Sequence, residues 1–222
     1  MRMGMMRTLL ALAAFLAAQF ACAAEELPFP DLDTEGYCTA LVSKMLVKTE
    51  QQVEKDKCLT YETAMKAKLK PFWDLVEPAE RERLKRDYIK EVRFQTYRTV
   101  GFFVASALGM ACLDGRAFCS PGKPTADAAF LALRSDHYCY LKNPDPKAMQ
   151  FQNCLKEETA RKSQLANYWS TLPKDKMDWC ISTAFRVNRE FPPFQILSTC
   201  FSEDIGTQCL MKTRQCRRGQ RS

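Results

Sequence analysis

The chain repeats itself, and the repeat limits what it can fold into. Cys58–Trp73 reads CLTYETAMKAKLKPFW and Cys154–Trp169 reads CLKEETARKSQLANYW, identical at eight of sixteen positions without a gap. A second echo precedes each copy, Glu35-Gly-Tyr-Cys38 and Asp136-His-Tyr-Cys139. On a helix at about 100° per residue, the matched residues fall near the cysteine's own face: leucines near 20° and 100°, glutamate near 40°, tryptophan near 60°, lysine near 80°. Only the alanine is expected on the far side. A stripe of this kind faces neighbouring helices. The architecture that follows is all-α: two related, disulfide-stapled helical units forming one bundle-like domain. No alternating apolar run bounded by hairpin turns argues for strands.

Four of the matched residues are charged and lie inside the apolar stripe. Glu62 and Lys66, like Glu158 and Lys162, stand four apart in the favourable helical order. One reading is a half-buried ion pair at the core edge, with the glutamate bonding a neighbouring backbone amide. The other is a pair of charges lining a groove open to a ligand.

The first residues read as an export signal. Arg2 and Arg7 precede an apolar run, Leu9–Phe20, and Ala21, Ala23 and Ala24 offer small-residue cleavage choices. Cleavage is expected near Ala23 or Ala24, leaving a periplasmic or secreted chain. Cys22 in a lipoprotein signal is an alternative that Gln19-Phe20-Ala21 fits poorly. Of the 11 cysteines, ten then remain, an even number that suits disulfides in an oxidising compartment. No C-x-x-C pair is present, which excludes thioredoxin-like, zinc-ribbon and c-type haem sites. The repeat suggests connectivity. Cys38 pairs with Cys58, and Cys139 with Cys154. Cys180 and Cys200 are both missing from the first copy, where Lys85 and Val100 stand at roughly their places, so they bond each other. Cys112, Cys119, Cys209 and Cys216 find no counterpart and pair locally.

Organisation follows from breakers and periodicity. After the signal, 1–24, the first helical unit spans 25–100. An apolar helix and a Pro/Gly/Cys loop occupy 101–132, the second unit 133–203, and a basic tail 204–222. Tyr37–Asp56 reads as one helix, and a second starts near Cys58 with Asp56 as its cap, finishing around Pro71 and Trp73. Glu77-Pro78 opens a third, and Pro192-Pro193 a last one through Cys200. Val100–Leu113 is expected to be a buried central helix, with insertion into a partner or bilayer as the alternative.

The second copy, through Cys180 and on to PPFQILSTCFSED, resembles an uncharacterised family of short exported cysteine-containing alphaproteobacterial proteins. Cys154, Glu158, Ala160, Arg161, Leu165, Trp169, Cys180, Leu197 and Cys200 carry the resemblance. Phe194 or Gln195 stands where the family has tyrosine, and its preceding Gly-Gly is absent. The resemblance implies export and a small helical fold, and no activity.

Chemistry is sparse. His137 is the only histidine, and no nucleophile elbow, zinc-protease or phosphate-loop motif is present. No catalytic, cofactor or metal residues are assigned. With 33 basic and 26 acidic residues the chain is mildly basic, and the balance is 31 to 26 without Arg2 and Arg7. Lys212, Arg214, Arg217, Arg218 and Arg221 form a frayed tail able to meet an anionic surface. No specific nucleic-acid binding is expected. The chain reads as an envelope binding or structural module with a protein or envelope partner. The alternatives are an inhibitor of a lysozyme-like hydrolase and a membrane-associated protein using Val100–Leu113.

Overall fold

The computed structural model describes residues 27–89, 96–120, 123–187 and 192–218. The expected leader, with Cys22 and its cleavage choices, lies outside the described residues. The chain divides at Pro30: Leu27–Pro30 carries no regular secondary structure, and one compact body begins at Asp31. That body is all-α and disulfide-stapled. Its first unit holds α1 Thr34–Val42, α2 Lys48–Leu69, α3 Pro78–Leu84 and α4 Tyr97–Leu113. A short helix, α5 Ala128–Leu131, leads into α6 Asp136–Lys142, α7 Met149–Ala166, α8 Lys174–Ile181 and α9 Pro193–Leu210. One element was not expected: β1 Ala117–Cys119 pairs antiparallel with β2 Cys216–Arg218.

The five cysteine pairs match the connectivity read from the repeat. The single helix expected over Tyr37–Asp56 is instead broken, because Ser43–Val47 turns the chain and α2 starts at Lys48. Asp56 lies inside α2 and caps nothing; the N-cap position is Val47. The disulfide explains the break. On one straight helix Cys38 and Cys58 would lie about 30 Å apart, whereas a hairpin brings their Cα atoms to 5.8 Å. Cys139–Cys154 closes the α6–α7 hairpin at the same 5.8 Å.

Proline and tryptophan act as the repeat suggests. Pro71 sits at the start of a 3-10 turn, Lys70–Leu75, that ends α2, and Trp73 is buried within it. The second copy has a shorter 3-10 turn, Trp169–Thr171. α3 and α8 each run on into a π-helical segment, Lys85–Ile89 and Ser182–Val187. The helix opened by Glu77-Pro78 is expected to carry Leu84, Tyr88 and Val92 on its apolar face; Val92 falls outside the described residues.

The most extensive helix contact is α4 against α9. Val100, Val104, Leu108 and Leu113 of α4 are buried, as are Leu197, Phe201 and Ile205 of α9. Val100–Leu113 is therefore a buried central helix in this fold, as the first reading of the segment expects. No helix among the described residues is long and apolar enough to cross a membrane. At the crossing the backbones touch. A methyl group on Gly109 would overlap the carbonyl oxygen of Ser202, and one on Gly206 would overlap that of Ala105. Small residues four apart on each helix, Ala105/Gly109 and Ser202/Gly206, make this approach possible, as small-residue pairs do in close helix pairs generally.

These contacts are reciprocal, which reveals the real extent of the repeat. Gly109 and Gly206 are 97 residues apart, as are Cys112 and Cys209. The spacing also relates Cys119 to Cys216 and the two left-handed residues that end the helices, Gly115 at φ +68° and Lys212 at φ +56°. Asp114, Gly115 and Arg116 bond back to α4 as Met211, Lys212 and Thr213 bond back to α9. So Cys112, Cys119, Cys209 and Cys216 are not unmatched cysteines but each other's counterparts. The Cys119 and Cys216 backbones face each other in the ribbon, on the pseudo-two-fold axis. The first unit accordingly runs past residue 100 to Cys119, and the second past 203 to Arg218. The 96-residue spacing of the Cys-to-Trp helices relates Cys180 to Leu84, and the 97-residue spacing of the central helices relates Cys200 to Phe103. Neither counterpart is the expected Lys85 or Val100; both apolar residues border one small cavity in the first unit.

Candidate functional site

The recurrent glutamates are buried at 3% and 2% relative exposure, and each completes the start of a central helix. Glu62 Oε2 accepts the Tyr97 amide at 2.5 Å, where α4 begins. Glu158 accepts the amides of Phe194 at 2.8 Å and Gln195 at 3.3 Å. α9 starts at Pro192-Pro193 with no capping side chain of its own. The four orphan amides of a helix start need acceptors, and a carboxylate suits the positive end of the helix dipole. Burial pushes the carboxyl of Glu62 above the usual range, opposed by the amides of Tyr97 and Arg98. Glu158 is pushed the same way, opposed by Phe194 and Gln195.

The recurrent lysines are not paired with those glutamates. Lys66 Nζ donates to Asp31 Oδ1 at 2.5 Å and lies 5.5 Å from the Tyr97 ring centre. Lys162 Nζ donates to the carbonyls of Leu131 and Leu133 at 2.6 and 2.7 Å and lies 5.5 Å from the Phe194 ring. The bond to Asp31 pushes Lys66 up, whereas burial pushes Lys162 down. The expected Glu–Lys ion pair is thus replaced by a division of labour: glutamate holds the incoming helix, lysine holds the lead-in segment beside it. The stripe is also narrower than expected. Ala64 and Ala160 face out as foreseen, but Thr63 and Thr159 are exposed too.

Beside Glu158 lies an open cleft of about 340 Å³. Tyr138 and Lys142 of α6, Glu157 and Arg161 of α7, and Pro192 and Gln195 at the start of α9 border it. In size it suits a short polar ligand or an inserted side-chain cluster. Arg161 is held across to α4 by Asp114. The repeat places Tyr37, Leu41, Tyr61, Met65 and Arg98 at the matching positions of the first unit. There Arg98 lies 5.6 Å from the Tyr61 ring centre, an aromatic surface instead of a polar one.

Other candidates take structural places. Arg214, expected in a solvated tail, is buried. It lies 4.7 Å from the Tyr168 ring centre, donates to Gln208 Oε1 at 2.9 Å, and reaches the Ser120 carbonyl. The segment read as tail from 204 is the second half of α9 and then β2; Arg221 lies outside the described residues. His137 is exposed on α6. Asp127 caps α5 and accepts Trp169 Nε1 at 3.1 Å, and that bond to the indole, with the α5 amides, holds its carboxyl below the usual range. Among the described residues the one cluster of metal-type donors is Cys112, Cys119, Cys209 and Cys216. All four are in disulfides, which removes the thiolates a metal needs.

No family model, curated protein or solved structure matches this chain.

Sequence reasoning missed the cleft because its lining comes from three separated segments. It missed the role of Glu158 for the same reason, although the Pro-Pro start of α9 was a signal that the helix needed a cap from elsewhere.

Proposed function

We propose that this protein is an exported, non-catalytic helical module of the bacterial envelope that binds a polar partner through the second unit. The observation that carries the reading is the α6–α7–α9 cleft with its Lys142, Arg161 and Glu157 rim, set in a scaffold held by five disulfides. A disulfide-dense helical body suits an oxidising compartment. The recurrent charges are committed to helix starts and lead-in segments, so the two units share a scaffold and differ in the surface it presents. The test is affinity recovery of envelope components with the oxidised protein and with the Tyr138→Ala/Lys142→Glu variant. The reading predicts a component retained by the first and lost by the second at unchanged melting temperature. Equal recovery by both refutes the cleft as the binding face. A muramidase inhibited by the unmodified chain and equally by the variant would place an inhibitory function elsewhere on the surface.

A further inference from the structure

The four sulfurs on the pseudo-two-fold axis are close enough to exchange partners. Cys112 Sγ and Cys209 Sγ are 4.0 Å apart, and all four sulfurs lie within 4.8 Å of one another. Cys119 and Cys216 are directly opposed in the β1–β2 ladder, where facing Cα atoms stand about 4.5–5.5 Å apart. That is within the reach of a disulfide. Each sulfur therefore has two partners available, one in its own unit and one across the axis. The other three disulfides have no such neighbour among the described residues: each is a single pair within its own unit.

Access is graded. Cys112, Cys119 and Cys209 are buried, and Cys216 is partly exposed on the last strand. A small thiolate therefore meets Cys216 first. We propose that this cluster is a thiol–disulfide exchange site, opened by a small thiol acting as catalyst, whose product is a chain cross-linked between its two units.

The steps balance without net oxidation. The incoming thiolate attacks Cys216 Sγ, forming a mixed disulfide and releasing Cys209 as thiolate. Cys209 Sγ then attacks Cys112 Sγ, forming Cys112–Cys209 and releasing Cys119. Cys119 Sγ attacks Cys216 Sγ, forms Cys119–Cys216, and expels the small thiol unchanged. Two bonds within units have become two bonds across the axis. Attack through a thiolate and a mixed disulfide is the general route of such exchange. The cross-linked form ties the α4–α9 crossing covalently, so the halves can no longer part at the ribbon.

The variant Cys216→Ser tests the middle step with no added thiol, because it leaves Cys209 as the odd thiol. Alkylation under native conditions followed by non-reducing peptide mapping then locates the free cysteine. The expected result is label on Cys119 as well as Cys209, with a Cys112–Cys209 peptide present. Label on Cys209 alone, with only Cys112–Cys119 found, overturns the proposal. A second arm uses the unmodified chain with a catalytic amount of reduced glutathione at mildly alkaline pH, and holds if the variant does not fold. Here Cys112–Cys209 and Cys119–Cys216 peptides are expected while Cys38–Cys58, Cys139–Cys154 and Cys180–Cys200 persist. Persistence of all five original pairs, or cross-axis pairs that appear only with scrambling of the other six cysteines, refutes it.

Discussion

Lys66 and Lys162 occupy the same place in two copies of one unit and meet opposite surroundings. Lys66 faces a carboxylate, Asp31, and holds its proton more tightly; Lys162 faces two neutral carbonyls, is more enclosed, and holds its proton less tightly. Each still lies over the aromatic residue that opens a central helix. The comparison teaches that duplication preserved a geometric task, pinning the lead-in segment beside the start of a helix, and left the chemistry of the acceptor free to change. The same holds one turn earlier. Glu62 and Glu158 both cap, but the second cap serves a helix whose own first residues, Pro192 and Pro193, offer no capping side chain.

The sharpest way to break this comparison is at the crossing. Gly109→Ala and Gly206→Ala should each cost about 3 kcal/mol or more, because backbone and not a flexible side chain must yield. The two losses should agree closely in urea unfolding; a large loss at one position only would show that the axis is not reciprocal. Next comes the bond that only the second unit carries. Cys180→Ser with Cys200→Ser should cost about 3 kcal/mol for a loop of this length. Cys180→Leu with Cys200→Phe, importing the first unit's pair, should recover part of it. The caps follow: Glu158→Ala should cost about 2–3 kcal/mol and Glu62→Ala about 2, since buried amides lose a charged acceptor. Glutamine should be milder at both positions.

The raised carboxyls give that pair of caps a pH signature. The folded state takes up a proton before the unfolded state does, so their contribution is fully present below the ordinary carboxylate range. It is lost as pH rises through the folded values. Glu158→Gln should flatten this part of a stability–pH curve, and an unchanged slope would remove Glu158 as its source. The smallest expected effects belong to the lysines. Lys162→Met should cost about 1 kcal/mol by stranding the part-buried Leu133 carbonyl and releasing the exposed Leu131 carbonyl. Lys66→Met should cost less than that, as befits an exposed pair. A reversed order would mean that the Asp31 contact carries more than its exposure suggests.

Local features of the fold were legible. The Cys-to-Trp stripe, the proline-opened helices and the disulfide pairs all follow from spacing within about twenty residues. The break at Ser43–Val47 was legible in principle, because Cys38 cannot meet Cys58 along one helix. What the residues did not display was anything set by the second copy's position in space. Gly109 and Gly206 read as ordinary interruptions of apolar runs until each is seen against the other helix's carbonyl. Arg214 reads as part of a basic tail because the ring of Tyr168, which it covers, lies 46 residues earlier. Of the candidate site, Glu158 was singled out for its recurrence, yet the cleft beside it was not, since α6, α7 and α9 converge only in the folded chain.

The α4–α9 crossing also has a place in time. Gly109 and Ser202 stand 93 residues apart, so a stretch of that length must be made before they can meet. Closing so long a loop is slow compared with forming a local hairpin. The α1–α2 and α6–α7 hairpins can therefore close early, while the side of α4 that carries Ala105 and Gly109 waits for its partner. Until synthesis reaches α9, that side of the first half is an unfinished surface.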